Sequence, residues 1–398
     1  MKMMGAVRPQ VSLNDFVQSH AFLHDDSTPA AAFDEYSLHP VLLGAAVVVT
    51  NSARYCGPRY RKHLGALGAW PGQVIEPHEI SLSPTSNMVN DARALDTLAS
   101  AMKRGSLELS TFYHDTPHLP QLAALLEQRG VQAAVHPTPG LPSKCAARSD
   151  AMALLQQYGV PTLPGAACNQ SQDIAHMAGR FGRVLIKEDG GVPILYNAGD
   201  FCPTPRAFPV YVEQFVQVRS SPNIQWMSGR GIGALVVCDQ IVTDFKHVGN
   251  RAMDVHAVGE QLKAVETGLA AICAAFDFIG PIGLDAVIDD AGKLFIVDIN
   301  ARFNSCTYPQ FFLRSLGMAS APFIYESVEL RTQLLDDVFF DNRFIRFDHE
   351  GAGSLLVGPA AASVGGPTQS AFLLTAADDP EEAGEIHHKN SVTLKLWR

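Results

Sequence analysis

The chain has no excess of positive charge: 30 lysines and arginines stand against 40 aspartates and glutamates, giving a formal net charge of −10 and a pI near 5.7. A surface that neutralises a nucleic-acid backbone needs clustered Lys and Arg. The densest basic run here, Arg59, Arg61 and Lys62, is short and reads as a solvated face or a local substrate contact, so nucleic acid is not an expected partner. Paired cysteines are missing too. Seven cysteines stand singly with no C-x-x-C spacing, which excludes a disulfide framework, favours a reducing compartment, and leaves each as a small buried side chain. After Met1-Lys2-Met3-Met4 no apolar segment of signal-peptide type follows, and the longest apolar run nearby, residues 41–49, is too short to span a bilayer. A cytoplasmic location without a membrane partner is therefore expected. No internal repeat is present, His387-His388 lack metal-ligand spacing, and Gly229-Arg230-Gly231-Ile232-Gly233 precedes a strand rather than following one, which rules out a dinucleotide loop.

What is present describes a globular enzyme or binding protein, with 47% hydrophobic and 18% charged residues. Its 398 residues imply two or three lobes at roughly 150 residues per domain. Residues 1 to about 40 carry no sustained period and read as an extended lead-in. Strands are expected at 45–49, 107–112 and 131–135, with a helix at 118–128 whose Leu119, Leu122, Leu125 and Leu126 keep helical spacing. That alternation predicts a small parallel α/β lobe over residues 1–140, closed by Pro137, Pro139, Gly140 and Pro142. Within it, the loop 51–55 follows a strand, where such lobes place ligand contacts, although an ordinary surface loop explains it as well.

A second segment, 141–330, begins with a helix capped by Ser143, striped by Ala151, Leu154, Leu155 and Tyr158, and stopped by Gly159 and Pro161, with Lys144 in its first turn. Mostly antiparallel strands are expected at 183–187, 210–218, 234–238 and 241–245, then a basic loop at 246–251, a long helix from about 254 to 276, and strands at 283–288 and 293–298. Residues 331–398 form a third segment with strands at 354–357 and 371–375 and a short helix at 380–385. The fold class is α/β to α+β: a parallel lobe followed by antiparallel lobes and a small C-terminal region.

The chemistry gathers at the last hairpin of the middle segment. With Asp289, Asp290, Ala291 and Gly292 as its loop, Ile288 opposes Lys293, Asp285 opposes Ile296, and Asp298 lies one diagonal from Asp285 on the same face, which Asn300 continues. Two carboxylates and an amide oxygen form an all-oxygen set suited to magnesium. Upstream, Lys187 ends an apolar strand before Glu188-Asp189-Gly190-Gly191, a lysine and glycine turn placed to hold phosphates. The strand through Glu213, Gln214, Phe215 and Val216 offers backbone groups to a purine edge. Each of these alone reads as an ordinary strand end or solvated charge; their order is what counts.

That order, Lys144 with Gly159-Val160-Pro161, Lys187, Glu213-Gln214-Phe215-Val216, Gly283-x-Asp285, and Asp298-Ile299-Asn300-Ala301-Arg302, resembles the ATP-grasp superfamily over about residues 144–304. Its members include D-alanine ligase, biotin carboxylase and glutathione synthetase. The resemblance implies ATP and Mg2+ as cofactors, with Lys144 and Lys187 on the phosphates and Glu213, Gln214 and Val216 as the adenine hinge. It implies Asp285, Asp298 and Asn300 as magnesium ligands, and Arg302 with Lys187 as the catalytic cations. The implied reaction activates a carboxylate as an acyl phosphate and joins it to an amine; the glycines and position of residues 188–196 point to a lid over the nucleotide that excludes water. Three features depart from the pattern: Asp298 where Glu is usual, a sparse glycine loop after Lys187, and no acid for the ribose, for which Asn223 or Gln225 are the substitutes at hand. The overall arrangement is similar, more narrowly, to pheganomycin-type peptide ligases, which implies amino acid or peptide partners; the sequence leaves the oligomeric state open, a homo-oligomer among the states allowed. A carboxylase or acid-phosphorylating enzyme, and an ATP-binding regulatory module, are the competing readings.

Overall fold

In a computed structural model the residues described are 20–23, 47–49, 58–67, 70–78, 84–105, 107–111, 118–132, 135–136, 138, 140–189, 191–229, 234–253, 258–331, 346–347, 352–357 and 368–396. They fall into two units, one made of the residues up to 136 with 249–252 and 303 onward, the other of 138–248 and 253–302. The loop 51–55, Cys56 and Gly190 lie outside the described residues.

The first unit opens with β1 (His20–Leu23), β2 (Val47–Val49), α1 (Pro58–Ala66), β3 (Gln73–Ile75), α2 (Pro84–Asn90), α3 (Ala92–Gly105), β4 (Glu108–Thr111), α4 (Leu119–Gln128) and β5 (Val135–His136). The strands form a parallel sheet in the order β3-β2-β1-β4-β5. The run Val47-Val48-Val49 is wholly buried, as a strand covered on both faces of a parallel sheet must be. Helix α3 buries Ala94, Leu95, Leu98 and Met102 on one stripe. Asp91 caps it, accepting the Ala94 N–H at 2.9 Å, and these backbone hydrogen bonds hold its carboxyl below the usual range. The expected parallel α/β lobe is therefore present. Two elements differ: β1 lies within the stretch read as a lead-in, and the strand expected at 131–135 is β5, displaced toward His136.

The second unit runs through α5 (Leu141–Lys144), α6 (Arg148–Gln157), β6 (Gly165–Cys168), α7 (Ser171–Phe181), β7 (Arg183–Lys187), β8 (Ile194–Asn197), β9 (Val210–Gln214), β10 (Val218–Ser220), β11 (Pro222–Ser228), β12 (Ala234–Thr243), β13 (Lys246–Ala252), α8 (Gly259–Ala275), β14 (Gly280–Asp289) and β15 (Leu294–Asn300). One antiparallel sheet has the order β6-β9-β7-β8. In the other, β14 carries β15 along one edge and β10 and β11 along the opposite edge, and β12 follows β11.

The single helix expected from Ser143 is broken into α5 and α6, because Ala147 has extended backbone at φ −90° and ψ 127°. The N–H of Arg148, first residue of α6, is taken by the Asp189 carboxylate at 2.9 Å, a cap supplied from a distant loop. The turn expected near Asp239 also moves. β12 continues to Thr243, and the reversal falls on Asp244 and Phe245 at φ 49° and 62°, the paired left-handed residues of a tight hairpin turn. The stretch 246–251, read as a basic loop, is strand β13.

The core of this unit packs Ala151, Leu154 and Leu155 of α6 and Val265, Leu269 and Ile272 of α8 with Ile282, Leu284, Leu294 and Ile296 of the hairpin.

The first unit resumes with α9 (Thr307–Ser315), β16 (Phe323–Arg331), β17 (Arg346–Phe347), β18 (Gly353–Val357), β19 (Thr368–Ala376) and α10 (Pro380–Leu396). Here β16, β19, β18 and β17 form an antiparallel run, and residues 249–251 of β13 pair with β16. Strand β16 has no counterpart among the strands expected from the sequence, and α10 is 17 residues long where a short helix is expected. No helix among the described residues is long and apolar enough to cross a membrane.

Gly268 lets α8 touch the chain that leads out of α6: a Cβ there would overlap the Val160 side chain and stand 3.0 Å from the Tyr158 carbonyl. Gly268→Val is expected to destabilise the protein by about 1–3 kcal/mol through overpacking, read as a lowered urea midpoint at unchanged slope. An unchanged midpoint would show that the helix shifts freely.

Candidate active site

The hairpin β14–β15 differs from the expected one in two compensating ways. The Gly292 N–H bonds to the Asp289 carbonyl at 2.9 Å and the Asp289 N–H to the Lys293 carbonyl at 3.1 Å, so the loop proper is three residues with Gly292 at φ 81°, and Ile288 opposes Leu294 rather than Lys293. The register then shifts between Asp285 and Ala286: Ala286 pairs with Ile296, Asp285 with Asp298, and Val297 is the extra residue of a β-bulge. Asp285 and Asp298 thus face each other directly across the strands, not on the expected diagonal, and Asn300 faces Gly283 one step further along the same side.

Each carboxylate has a distinct environment. Asp285 Oδ1 accepts the Asn223 amide at 2.5 Å and the Gln240 amide at 3.0 Å, and its Oδ2 accepts the Asn300 amide at 3.4 Å. Asp298 Oδ1 accepts the Ile299 N–H at 3.0 Å, and its Oδ2 lies 3.6 Å from the guanidinium of Arg148. Burial pushes the Asp298 carboxyl up, Arg148 pulls it back in part, and the charge of Asp285 pushes it up further. Cys145 is raised to about 12 by burial and then by Asp298, so it is an inert thiol. The six described cysteines are all free.

Beside this pair stands a buried ion pair between Lys187 at the end of β7 and Glu213 in β9, with side chains 6% and 1% exposed. Lys187 Nζ also donates to the Val297 carbonyl at 3.3 Å, the carbonyl that the bulge releases. Burial raises the Glu213 carboxyl and Lys187 opposes that rise. Glu213 Oε2 is buried and makes no hydrogen bond among the described residues.

The structure brings Lys187, Glu213, Asp285, Asp298 and Asn300 together; it leaves Lys144 aside. The Lys144 ammonium is on the surface, 3.0 Å from Asp150, and the cation that faces Asp298 is Arg148, a residue the sequence reading does not single out. Its signal lies in the chain, since Arg148 opens a helix after an extended residue, but the assumption of a continuous helix from Ser143 hides it. In the expected hinge, the Gln214 N–H bonds to the Pro164 carbonyl at 2.8 Å and the Phe215 N–H to the Arg183 carbonyl at 3.0 Å, while the Arg183 guanidinium lies 4.2 Å over the Phe215 ring. Val216 follows in a stretch between β9 and β10 whose backbone belongs to no strand. Arg302 is half-buried just after β15, its N–H on the Asn300 carbonyl at 2.7 Å.

The expected ribose substitutes are corrected. Asn223 and Gln225 are 1% and 0% exposed in β11, and Asn223 is engaged with Asp285. The loop after Lys187 is held by its acids: Asp189 caps α6, Glu188 accepts the Arg206 N–H at 2.8 Å, and the end of the expected lid is strand β8.

Among the described residues no three His, Cys, Asp or Glu side chains converge on one point. The donor set is two carboxylates and one amide, and with its nitrogen on Asp285 the Asn300 amide has its oxygen left as acceptor. Like charges directly opposite on a hairpin repel, and a hard cation that takes few protein ligands and completes its shell with phosphates and water fits this set.

No protein-family model matches the chain, and no curated protein matches it by sequence. Its fold nevertheless recurs among solved structures, and it is the ATP-grasp fold. An N5-carboxyaminoimidazole ribonucleotide synthetase in its ADP complex superposes with a TM-score of 0.60 at 10% identity, covering 95% of this chain and 97% of that one. The corresponding synthetase from Thermus thermophilus gives 0.57 at 16% identity over 90% and 94%. Biotin carboxylase from Campylobacter jejuni, in a β-γ-ATP complex, gives 0.55 at 11% identity over 94% and 91%.

The burial of Asp298 has a thermodynamic signature. A carboxyl raised above its unfolded value of about 3.9 contributes stability that is present below that pH and is lost as pH climbs through the raised folded value. Asp298→Asn removes this loss. The ligand-free variant is expected to melt above wild type at pH 7, with the difference shrinking as pH falls toward about 4. A difference of constant size across that range would show that Arg148 and Lys187 compensate the charge fully.

Proposed function

We propose that the chain is an ADP-forming ligase that uses ATP and Mg2+ to activate a carboxylate as an acyl phosphate and transfers the acyl group to an amine. The observation that carries this reading is the rung on which Asp285 meets Asp298, with Asn300 beside it and both Arg148 and Lys187 on the Asp298 side. Oxygen donors for a divalent cation next to cations for phosphate oxygens are what phosphoryl transfer requires. In this reading Asp285, Asp298 and Asn300 hold the metal, which when bound would neutralise charge on the β- and γ-phosphates. Lys187 contacts phosphate from its buried position. The backbone at Val216, outside any strand, offers its groups to the adenine, and Glu213 Oε2 is a buried acceptor without a partner among the described residues. Arg302, two residues after Asn300, stabilises the oxyanion that forms when the amine attacks the acyl carbonyl. Residues 141–330 are the nucleotide-binding and catalytic lobes, 1–140 the preceding lobe, and 331–398 the substrate side. Amino acids or peptides as the two partners is the finer form of the proposal and rests on the narrower family resemblance.

A second reading has bicarbonate as the acid. It is favoured by the neighbours in fold, which are carboxyaminoimidazole ribonucleotide synthetases and a biotin carboxylase.

Both readings are tested by phosphate release from ATP and Mg2+ with hydroxylamine as surrogate nucleophile, across amino acids, short peptides and bicarbonate. Acid-dependent hydroxamate that Asp298→Asn abolishes, and that Arg302→Ala lowers by about 10²–10³-fold, is the expected result. Phosphate release stimulated by bicarbonate alone, without hydroxamate from any organic acid, selects the second reading. ATP binding with no acid-stimulated turnover sinks both and leaves a regulatory nucleotide module.

A further inference from the structure

Carboxylates drawn back from solvent, as half-buried Asp285 is, are commonly neutralised by lysine or arginine. Asp285 is not: among the described residues its partners are the amides of Asn223, Gln240 and Asn300, all neutral. The arrangement is built rather than incidental. Asn223 stands directly opposite Asp285 in the β11–β14 register and is 1% exposed. Gln240 is fixed from behind, its N–H on the Ser221 carbonyl at 2.9 Å and its Oε1 accepting the Ser221 hydroxyl at 3.2 Å, which turns its amide nitrogen toward Asp285. Two donors therefore converge on Oδ1, while Oδ2 faces Asn300 and the Asp298 side of the rung.

Neutral donors orient a carboxylate without cancelling its charge, whereas a lysine or arginine in the same place would compete with an incoming cation. We infer that Asn223, backed by Gln240, is a positioning residue that fixes Asp285 with one oxygen turned to a divalent cation and leaves its negative charge unspent. This rests on the metal-site reading above and adds to it a pair of residues that touch neither metal nor substrate. Supporting groups of this kind alter metal affinity by about 10- to 100-fold when removed.

The test is calorimetric binding of ADP to the full chain, first in EDTA and then with Mg2+ titrated in, for wild type, Asn223→Ala and Gln240→Ala. The expected result is unchanged ADP affinity in EDTA with the half-saturating Mg2+ concentration raised about 10- to 100-fold in Asn223→Ala and raised in the same direction by Gln240→Ala. Should Asn223→Ala fail to fold, Gln240→Ala, at a half-buried position, carries the test alone. Equal losses with and without Mg2+ would mark a merely structural role and overturn the inference, as would a Mg2+ requirement identical to wild type in both variants. A wild-type chain that binds ADP with no response to Mg2+ overturns the metal-site reading itself, an outcome visible before any variant is compared.

Discussion

Two carboxylates held face to face across one rung of a hairpin are the constraint on which the rest of the second unit depends. Cross-strand neighbours stand about 4.5–5.5 Å apart at Cβ, so Asp285 and Asp298 cannot avoid each other's charge. The bulge at Val297 creates that opposition and at the same time frees the carbonyl that Lys187 reaches. A regular ladder would have put Val297 opposite Asp285 and turned Asp298 to the other face. One inserted residue thus sets both the charge pair and the docking point of its nearest lysine.

Lys187 links the two sheets of that unit. It projects from β7, pairs with Glu213 on β9 of its own sheet, and donates across to β15. The same seam is stitched by the Ile296 N–H on the Pro161 carbonyl at 2.8 Å. A buried ion pair contributes little net stability, because desolvation offsets the Coulomb gain, yet breaking it by removing one partner leaves an uncompensated charge and is costly. The pair's value is therefore positional: it holds the Lys187 side chain beside the carboxylate rung.

Much of this is legible in the sequence, and the failures have physical causes. Helical spacing of leucines marks α4, and the apolar runs mark β7, β9 and the β14–β15 hairpin, because each buries a continuous face. The metal-ligand candidates converge as expected since the period of two along a strand survives a bulge that restores the face after a one-residue loop shift. What fails depends on non-local partners. The break between α5 and α6 is capped by Asp189, 41 residues away, and no local pattern announces that; Lys144 is therefore read where Arg148 stands. β16 mixes Tyr325 in the core with Glu326, whose carboxylate pairs with His387 of α10, so its alternation makes sense only once that helix is in place. The turn at Asp244 and Phe245 uses left-handed residues with no glycine, which sequence rules for hairpins do not flag.

The energetics argue that this cluster exists for binding rather than for stability. An unsatisfied buried acceptor such as Glu213 Oε2 costs about 1–3 kcal/mol, and a half-buried carboxylate that desolvation raises, as Asp298 is, resists ionisation. Apolar side chains of similar volume would remove both penalties, and the surrounding core of Leu284, Ile296 and Ile299 shows that such packing is available here. The chain instead surrounds one acid with amides, gives the other a guanidinium at 3.6 Å, and leaves a carboxylate oxygen without a donor. In the proposed reading, a divalent cation carried on a polyphosphate would offset the costs at the two acids, being positive toward Asp285 and Asp298 and negative toward Lys187 and Arg148.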